Sequence, residues 1–214
     1  RNSIDNPLYT RKGSQFMFSV AATPPWSLWD GKDYKNMSDQ DEAKFRMIEY
    51  HKWKFKAKIF SPLAPLTVKR TPVLMTRVEY GFLGSYNKYK KSPFETFYMG
   101  GDGMSGYSST YATETIGLRG YENGSIAGNG GYNSYGYAYS RLSMELRYPF
   151  LLEPSSTIYG LVFVEAGNAW RDLKDFNPFQ LKRSAGVGVR IFLPMIGLMG
   201  IDWAYGFDRP DGYD

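Results

Sequence analysis

The sequence predicts an all-β fold, the wall of a transmembrane antiparallel up-and-down β-barrel, on three observations. Seven runs alternate apolar and polar residues with the period of two that sends successive side chains to opposite faces of a strand. No apolar run approaches the roughly 18 to 20 residues of a spanning helix, so if the chain crosses a membrane it does so as a barrel. The connections between runs alternate long and short, as expected for a barrel with short turns on one side of the membrane and long loops on the other. A Greek-key sandwich shares the period of two but does not predict that alternation.

The first twelve residues are polar and hold the turn Asn6-Pro7, with no secretory apolar segment. Gly13 opens the first run, 14–23, where Phe16, Phe18, Val20 and Ala22 oppose Gln15 and Ser19. Pro24-Pro25, Trp26 and Trp29-Asp30-Gly31 then begin a long loop. The second run sets Trp53, Phe55, Ala57 and Ile59 against Lys52, Lys54, Lys56 and Lys58, a greasy face backed by a row of lysines. A short Pro-marked turn over 61–71 leads to the third, where Leu74, Thr76, Val78, Tyr80 and Phe82 oppose Met75, Arg77 and Glu79.

A long polar connection, about 83–134, follows. The fourth run places Leu142, Met144, Leu146 and Tyr148 opposite Arg141, Ser143, Glu145 and Arg147, and is expected to stop at Pro149. The fifth, 157–170, is apolar on both faces but carries Glu165 in its middle. The sixth alternates Ala185, Val187, Val189 and Ile191 with Ser184, Gly186, Gly188 and Arg190. The seventh alternates Met199, Ile201, Trp203, Tyr205 and Phe207 with Gly200, Asp202, Ala204 and Gly206. Pro194, Gly197 and Gly200 argue for strand, turn and strand across the apolar stretch 191–201. Connections between the fourth and fifth runs and between the sixth and seventh are short, the latter the shortest.

Composition narrows the function classes. Of 214 residues 17% are aromatic, with 18 Tyr and 14 Phe, and Tyr and Trp suit a boundary between an apolar and a wet phase. The net charge of +5 is spread along the chain rather than gathered in a patch, so no nucleic-acid partner is expected. Absence of Cys excludes disulfides and thiolate metal sites, and the single His51 leaves little for histidine chemistry; no metal or cofactor is expected.

Gly101-Asp102-Gly103-Met104-Ser105-Gly106 matches G-x-G-x-x-G, but the following Tyr107-Ser108-Ser109-Thr110 opens no helix to receive a pyrophosphate. It reads as a flexible loop. Glu79, Glu145, Glu165 and Asp202 invite an acid/base reading, yet most lie near Arg or Lys on the same kind of face, and charge balance is the simpler role. No Ser-His-Asp or P-loop spacing is present, and no enzyme activity is expected.

With these residues laid out, the chain resembles the second half of the barrel of the BamA family, central to outer-membrane protein assembly. The resemblance covers nearly the whole chain. It rests on Phe94-Glu95-Thr96-Phe97-Tyr98-Met99-Gly100-Gly101, on Leu118-Arg119-Gly120-Tyr121 at the family's V-R-G-F position, and on Phe163-Val164-Glu165-Ala166-Gly167 at its F-x-D-x-G position. The segments 143–149 and 184–188 add to the ordered set. Glu165 stands where the family has Asp, and a Ser/Tyr/Thr-rich insertion, about 104–117, precedes the arginine.

The resemblance implies that residues 1–214 are the C-terminal portion of a sixteen-stranded barrel, strands nine to fifteen, with the POTRA domains and first eight strands outside the chain. The last residues, 208–214, look like the final extracellular loop, with the closing strand beyond. It implies a lumenal loop whose motif Leu118, Arg119, Gly120 and Tyr121 docks on the wall. A guanidinium cannot shed its charge, so a screened Arg119 must meet a carboxylate with fork geometry. By the family pattern that is Glu165, with Phe163 supporting the stem, Gly167 allowing close approach and Glu145 as second candidate.

The implied setting is the outer membrane of a Gram-negative bacterium. The implied partners are the lipid bilayer, unfolded outer-membrane proteins and accessory assembly lipoproteins. Other expectations are a two-partner secretion or translocation pore with the same loop motif, and the barrel of a fused patatin-like esterase. Seven strands with open edges are not expected to close into a barrel alone.

Overall fold

The computed structural model describes residues 1–38, 41–103, 114–126, 135–153 and 155–209. Seven long strands form one sheet: β1 (Gly13–Ala22), β2 (His51–Pro62), β3 (Val73–Gly84), β6 (Ala138–Glu153), β7 (Ser156–Trp170), β8 (Lys182–Leu193) and β9 (Gly197–Gly206). Every neighbouring pair is antiparallel, in the order β1-β2-β3-β6-β7-β8-β9. Two short strands, β4 (Phe97–Met99) and β5 (Glu114–Ile116), pair with each other in parallel inside the long connection.

The register carries the period of two across the sheet. Phe18 faces Phe55, Phe55 faces Tyr80, Val164 faces Ala185 and Ala185 faces Tyr205. These outward rows stay exposed: Phe18 is 66%, Val162 56%, Ile201 76% and Trp203 70% accessible. Such an apolar face is unfavourable in water and matches lipid, while Glu79, Glu145, Glu165 and Lys52 on the opposite face are buried under the connection or among one another.

β1 and β9 lie at opposite ends of the order and do not pair, so the sheet is an open arc of a barrel. The outer edge of β1 is partly covered by the chain's own first residues. Asn2 bridges Gln15 in antiparallel sense, and Phe16 N–H donates to Arg1 O at 2.8 Å. The following turn sends Tyr9 across the inner face. Its hydroxyl donates to Thr71 O at 2.9 Å, and its ring packs edge-on against Tyr159.

Two expectations need correction. The strand expected to end at Pro149 continues to Glu153, with a register shift between Pro149 and Leu151. A bulge there lets the ladder pass a residue with no N–H to donate, and leaves Phe150 51% exposed. In consequence β7 opens closer behind β6 than β9 does behind β8, since Glu153 pairs with Ser156 and Leu193 with Gly197. The connection at 83–134 is also more than a polar loop, since it carries β4, β5 and a core of its own. Of the insertion at 104–117, residues 104–113 lie outside the described residues, as do 104–106 of the Gly-rich motif; Gly101 and Gly103 take φ of +68° and +76°.

Candidate functional site

The inner face of the wall carries the long connection as a docked element. Phe97, Met99, Ile116, Leu118, Tyr121 and Ile126 from the connection bury themselves against Leu83, Tyr139 and Ala169 of β3, β6 and β7. Gly167 makes room for them: a Cβ there would stand 2.4 Å from Met99 Cε and 2.9 Å from Ser140 O. Leu118, fully buried, bridges back to Gly101 and fixes the backbone immediately before Arg119.

Arg119 points along the wall into a group of acids. Its Nη2 donates to Glu165 Oε1 at 2.7 Å and to Glu145 Oε1 at 2.7 Å, while Nη1 reaches Asp202 Oδ2 at 3.4 Å. The guanidinium carbon lies 3.5 Å from the centroid of the Phe163 ring, a stacked contact. Side-chain exposure is 12% for Arg119, 5% for Glu145 and 0% for Glu165. Burial works against the Arg119 charge, but Glu165 and Glu145 outweigh it and raise the pKa of the guanidinium above its ordinary value.

The fork expected between Arg119 and one carboxylate is not what forms. One nitrogen is shared by two carboxylates, because Glu165 is already crowded: Arg141 Nη2 donates to its Oε1 at 2.8 Å and Ser143 Oγ at 3.1 Å. Its Oε2 instead accepts the main-chain N–H of Arg119 at 3.0 Å. Arg141 and Ser143 were legible as inward residues of their strand, and their register opposite Gly167 and Glu165 is the missing information.

The remaining motif residues hold the turn shut. Gly120 has φ of +90°, and a Cβ there would stand 2.9 Å from Gly206 N, so the loop passes β9 backbone to backbone. Tyr121 is buried, and its hydroxyl donates to Arg183 O at 2.6 Å.

A second attachment lies at the other end of the loop and was not anticipated. Glu114 of β5 meets Lys54 at 3.0 Å, Lys52 at 3.1 Å and Lys56 at 3.6 Å, and Lys52 also reaches Glu95 at 3.1 Å. The lysine row on β2 was plain in the sequence. Its partner was not, because Glu114 sits in an insertion with no periodic pattern. Among the described residues no cluster of acids, His or Cys is arranged to hold a metal ion.

An open antiparallel arc with an apolar outer face and an arginine-bearing loop folded onto its charged inner face defines a section of a membrane β-barrel with an internal loop. The chain belongs to the Omp85 superfamily, whose domain matches residues 1–214. The structure is similar to the crystal structure of BamA from Haemophilus ducreyi lacking POTRA domains 1-3, with a TM-score of 0.67 and 20% sequence identity. That match covers 99% of this chain and 38% of the BamA chain, so this chain spans well under half of that protein's length. The likeness shows the fold. Comparison with curated proteins finds no match.

Proposed function

We propose that this chain is the C-terminal portion of the barrel of an outer-membrane protein assembly factor, and that Arg119 is the strut holding its lumenal loop to the wall. The work is non-enzymatic: the barrel receives unfolded outer-membrane proteins and helps them fold and insert into the bilayer, with accessory lipoproteins as helpers. The physical basis is that an incoming strand can form its ladder on an exposed strand edge before it meets lipid. A wall that offers an edge must keep its shape while open, and the loop supplies an internal brace.

The observation that carries this reading is the convergence of Glu145, Glu165 and Asp202, from β6, β7 and β9, on the one side chain of Arg119. The bland alternative, a solvated loop arginine, does not produce a 12% exposed guanidinium stacked on Phe163.

The test is insertion of a model outer-membrane protein into liposomes containing the full-length protein or its Arg119→Ala variant. Slower insertion by the variant, with the barrel itself still folded, is the expected result. Equal rates would sink the strut reading. A full-length protein that exports a passenger across the bilayer, and inserts nothing, would favour a translocation pore of the same superfamily.

A further inference from the structure

Four connections meet at the loop end of the sheet around an open bowl of about 1010 Å³. The β1–β2 loop brings Tyr34 and Lys35, and the segment after β3 brings Lys88 and Tyr89; Tyr135 comes from just before β6 and Arg171 from just after β7. Buried groups hold the Tyr34 part of the wall. Its hydroxyl donates to Asp30, and the buried Lys90 ammonium lies 4.6 Å from the ring centroid. Glu49, also buried, stands 3.9 Å from Lys90 and accepts the Ser27 N–H at 2.8 Å. Lys91 meets Asp172 at 2.9 Å, and the Tyr137 hydroxyl donates to Ser92 O at 3.0 Å, so the connections fasten one another. The bowl is formed without a ligand.

Its charge is one-sided. Lys35, Lys44, Lys88, Lys91 and Arg171 line it against Asp172 and Asp175. Asp172 takes Lys91, and Lys44 is buried with its ammonium toward Met37 O at 3.4 Å. Lys35, Lys88 and Arg171 are exposed and make no ion pair among the described residues. Between these cations stand aromatic rings. Tyr89 is exposed, with the Lys88 ammonium 4.8 Å from its centroid, and the half-buried Tyr135 packs edge-on against Tyr137.

A tyrosine offers an apolar face and a hydroxyl at its end. Rings of that kind beside unpaired cations match a sugar ring, with its apolar CH face and hydroxyl rim, when the sugar also carries a negative charge. No residue of a β-strand lines the bowl, so an acidic peptide would find no ladder edge to extend. The three unpaired cations come from three different connections, which suits single charges on successive sugars better than one phosphate held in a fork. Pockets of ~300 to 1,000 Å³ hold drug-sized molecules, so a short oligosaccharide fits.

We propose that this bowl binds a carboxylate-bearing saccharide, with sugar faces on Tyr89 and Tyr135 and carboxylates on Lys35, Lys88 and Arg171. In the orientation implied by the long loops, this end faces the outside of the cell, where such a ligand arrives without crossing the bilayer. The site does not depend on the role of the Arg119 loop.

The experiment titrates the full-length protein, in a neutral detergent, with fluorescently labelled hexagalacturonate and follows anisotropy. Neutral maltohexaose and a hexaglutamate peptide serve as competitors. Hexagalacturonate should bind at least about tenfold more tightly than either. Tyr89→Ala, which leaves every charge in place, should weaken binding about fivefold, and Lys35→Gln/Lys88→Gln/Arg171→Gln about tenfold or more. All four residues are exposed, and an unchanged unfolding midpoint would show that each variant is folded.

No binding of hexagalacturonate up to about 1 mM would overturn the proposal. So would equal affinity for hexaglutamate, which would show that charge alone is read, equal affinity for maltohexaose, or undiminished binding by either variant.

Discussion

Glu165 receives Arg119 twice, through the main-chain N–H at 3.0 Å on one carboxylate oxygen and through Nη2 at 2.7 Å on the other. A single acid on the wall therefore fixes both the path of the loop and the direction of its side chain. Removing the charge and shortening the arm are then different experiments.

Glu165→Ala strands the guanidiniums of Arg119 and Arg141 in a poorly hydrated place, and is expected to cost about 3 to 5 kcal/mol in loop docking. Glu165→Gln keeps one acceptor oxygen and should lose less. Protease accessibility of the loop and denaturant unfolding in detergent would order the variants. An Ala variant as resistant as wild type contradicts the docking geometry.

Arg119→Lys should behave more like Ala than like wild type. An ammonium keeps the charge but not the planar group that lies on Phe163 and shares a nitrogen between two carboxylates. Full insertion activity with Lys would show that charge alone suffices.

Gly120→Ala should destabilise the docked loop by about 1 to 3 kcal/mol, since an L side chain must adopt positive φ and also collide with β9. Hydrogen exchange at the amides of 118–121 would detect it as faster opening, with the strand amides unchanged.

Acid should release the β5 end first. Burial raises the pKa of Glu114, but the Lys54 hydrogen bond and the Lys52 charge win, and the carboxyl titrates below the ordinary range. Its contribution is present above the unfolded-state carboxylate pKa and is lost as pH falls through the lower folded value. A spin-label distance from residue 115 to β2 should therefore hold at neutral pH and lengthen in strong acid. Glu114→Gln should show the long distance at every pH.

On the wall, Arg placed at Val187 should cost about 2 to 4 kcal/mol near the midplane. Ser143 reads in the sequence as an inward position where the same change costs little. In the structure it is 2% exposed and donates to Glu165, so Ser143→Arg should dislodge the loop instead. Gln15, only partly buried on the inner face of β1, is the better tolerant control.

Much of this architecture was legible because a strand writes its two faces into the sequence. Trp53, Phe55 and Ile59 against Lys52, Lys54 and Lys56 need no partner strand to be read. What the period of two does not carry is register and tertiary attachment. That Arg141 and Ser143 flank Glu165, that Glu114 caps the lysine row, and that Tyr9 crosses beneath Tyr159 all depend on residues far apart in the chain. The bulge after Pro149 was misread for the opposite reason, because a local rule about proline was stronger in the sequence than the ladder on both sides of it.

The separations in the arginine dock set an order of events. Arg119 meets Glu145, Glu165 and Asp202 across 26, 46 and 83 residues, and all three acids follow it in the chain. Closing loops of that size is slow relative to forming the adjacent hairpins. The arginine must wait for β6, β7 and β9, so the dock forms late and reports that the C-terminal strands are in register. In refolding, protection of the Arg119 amide should lag behind that of the β6–β7 hairpin, which makes this contact a clock for completion of the wall.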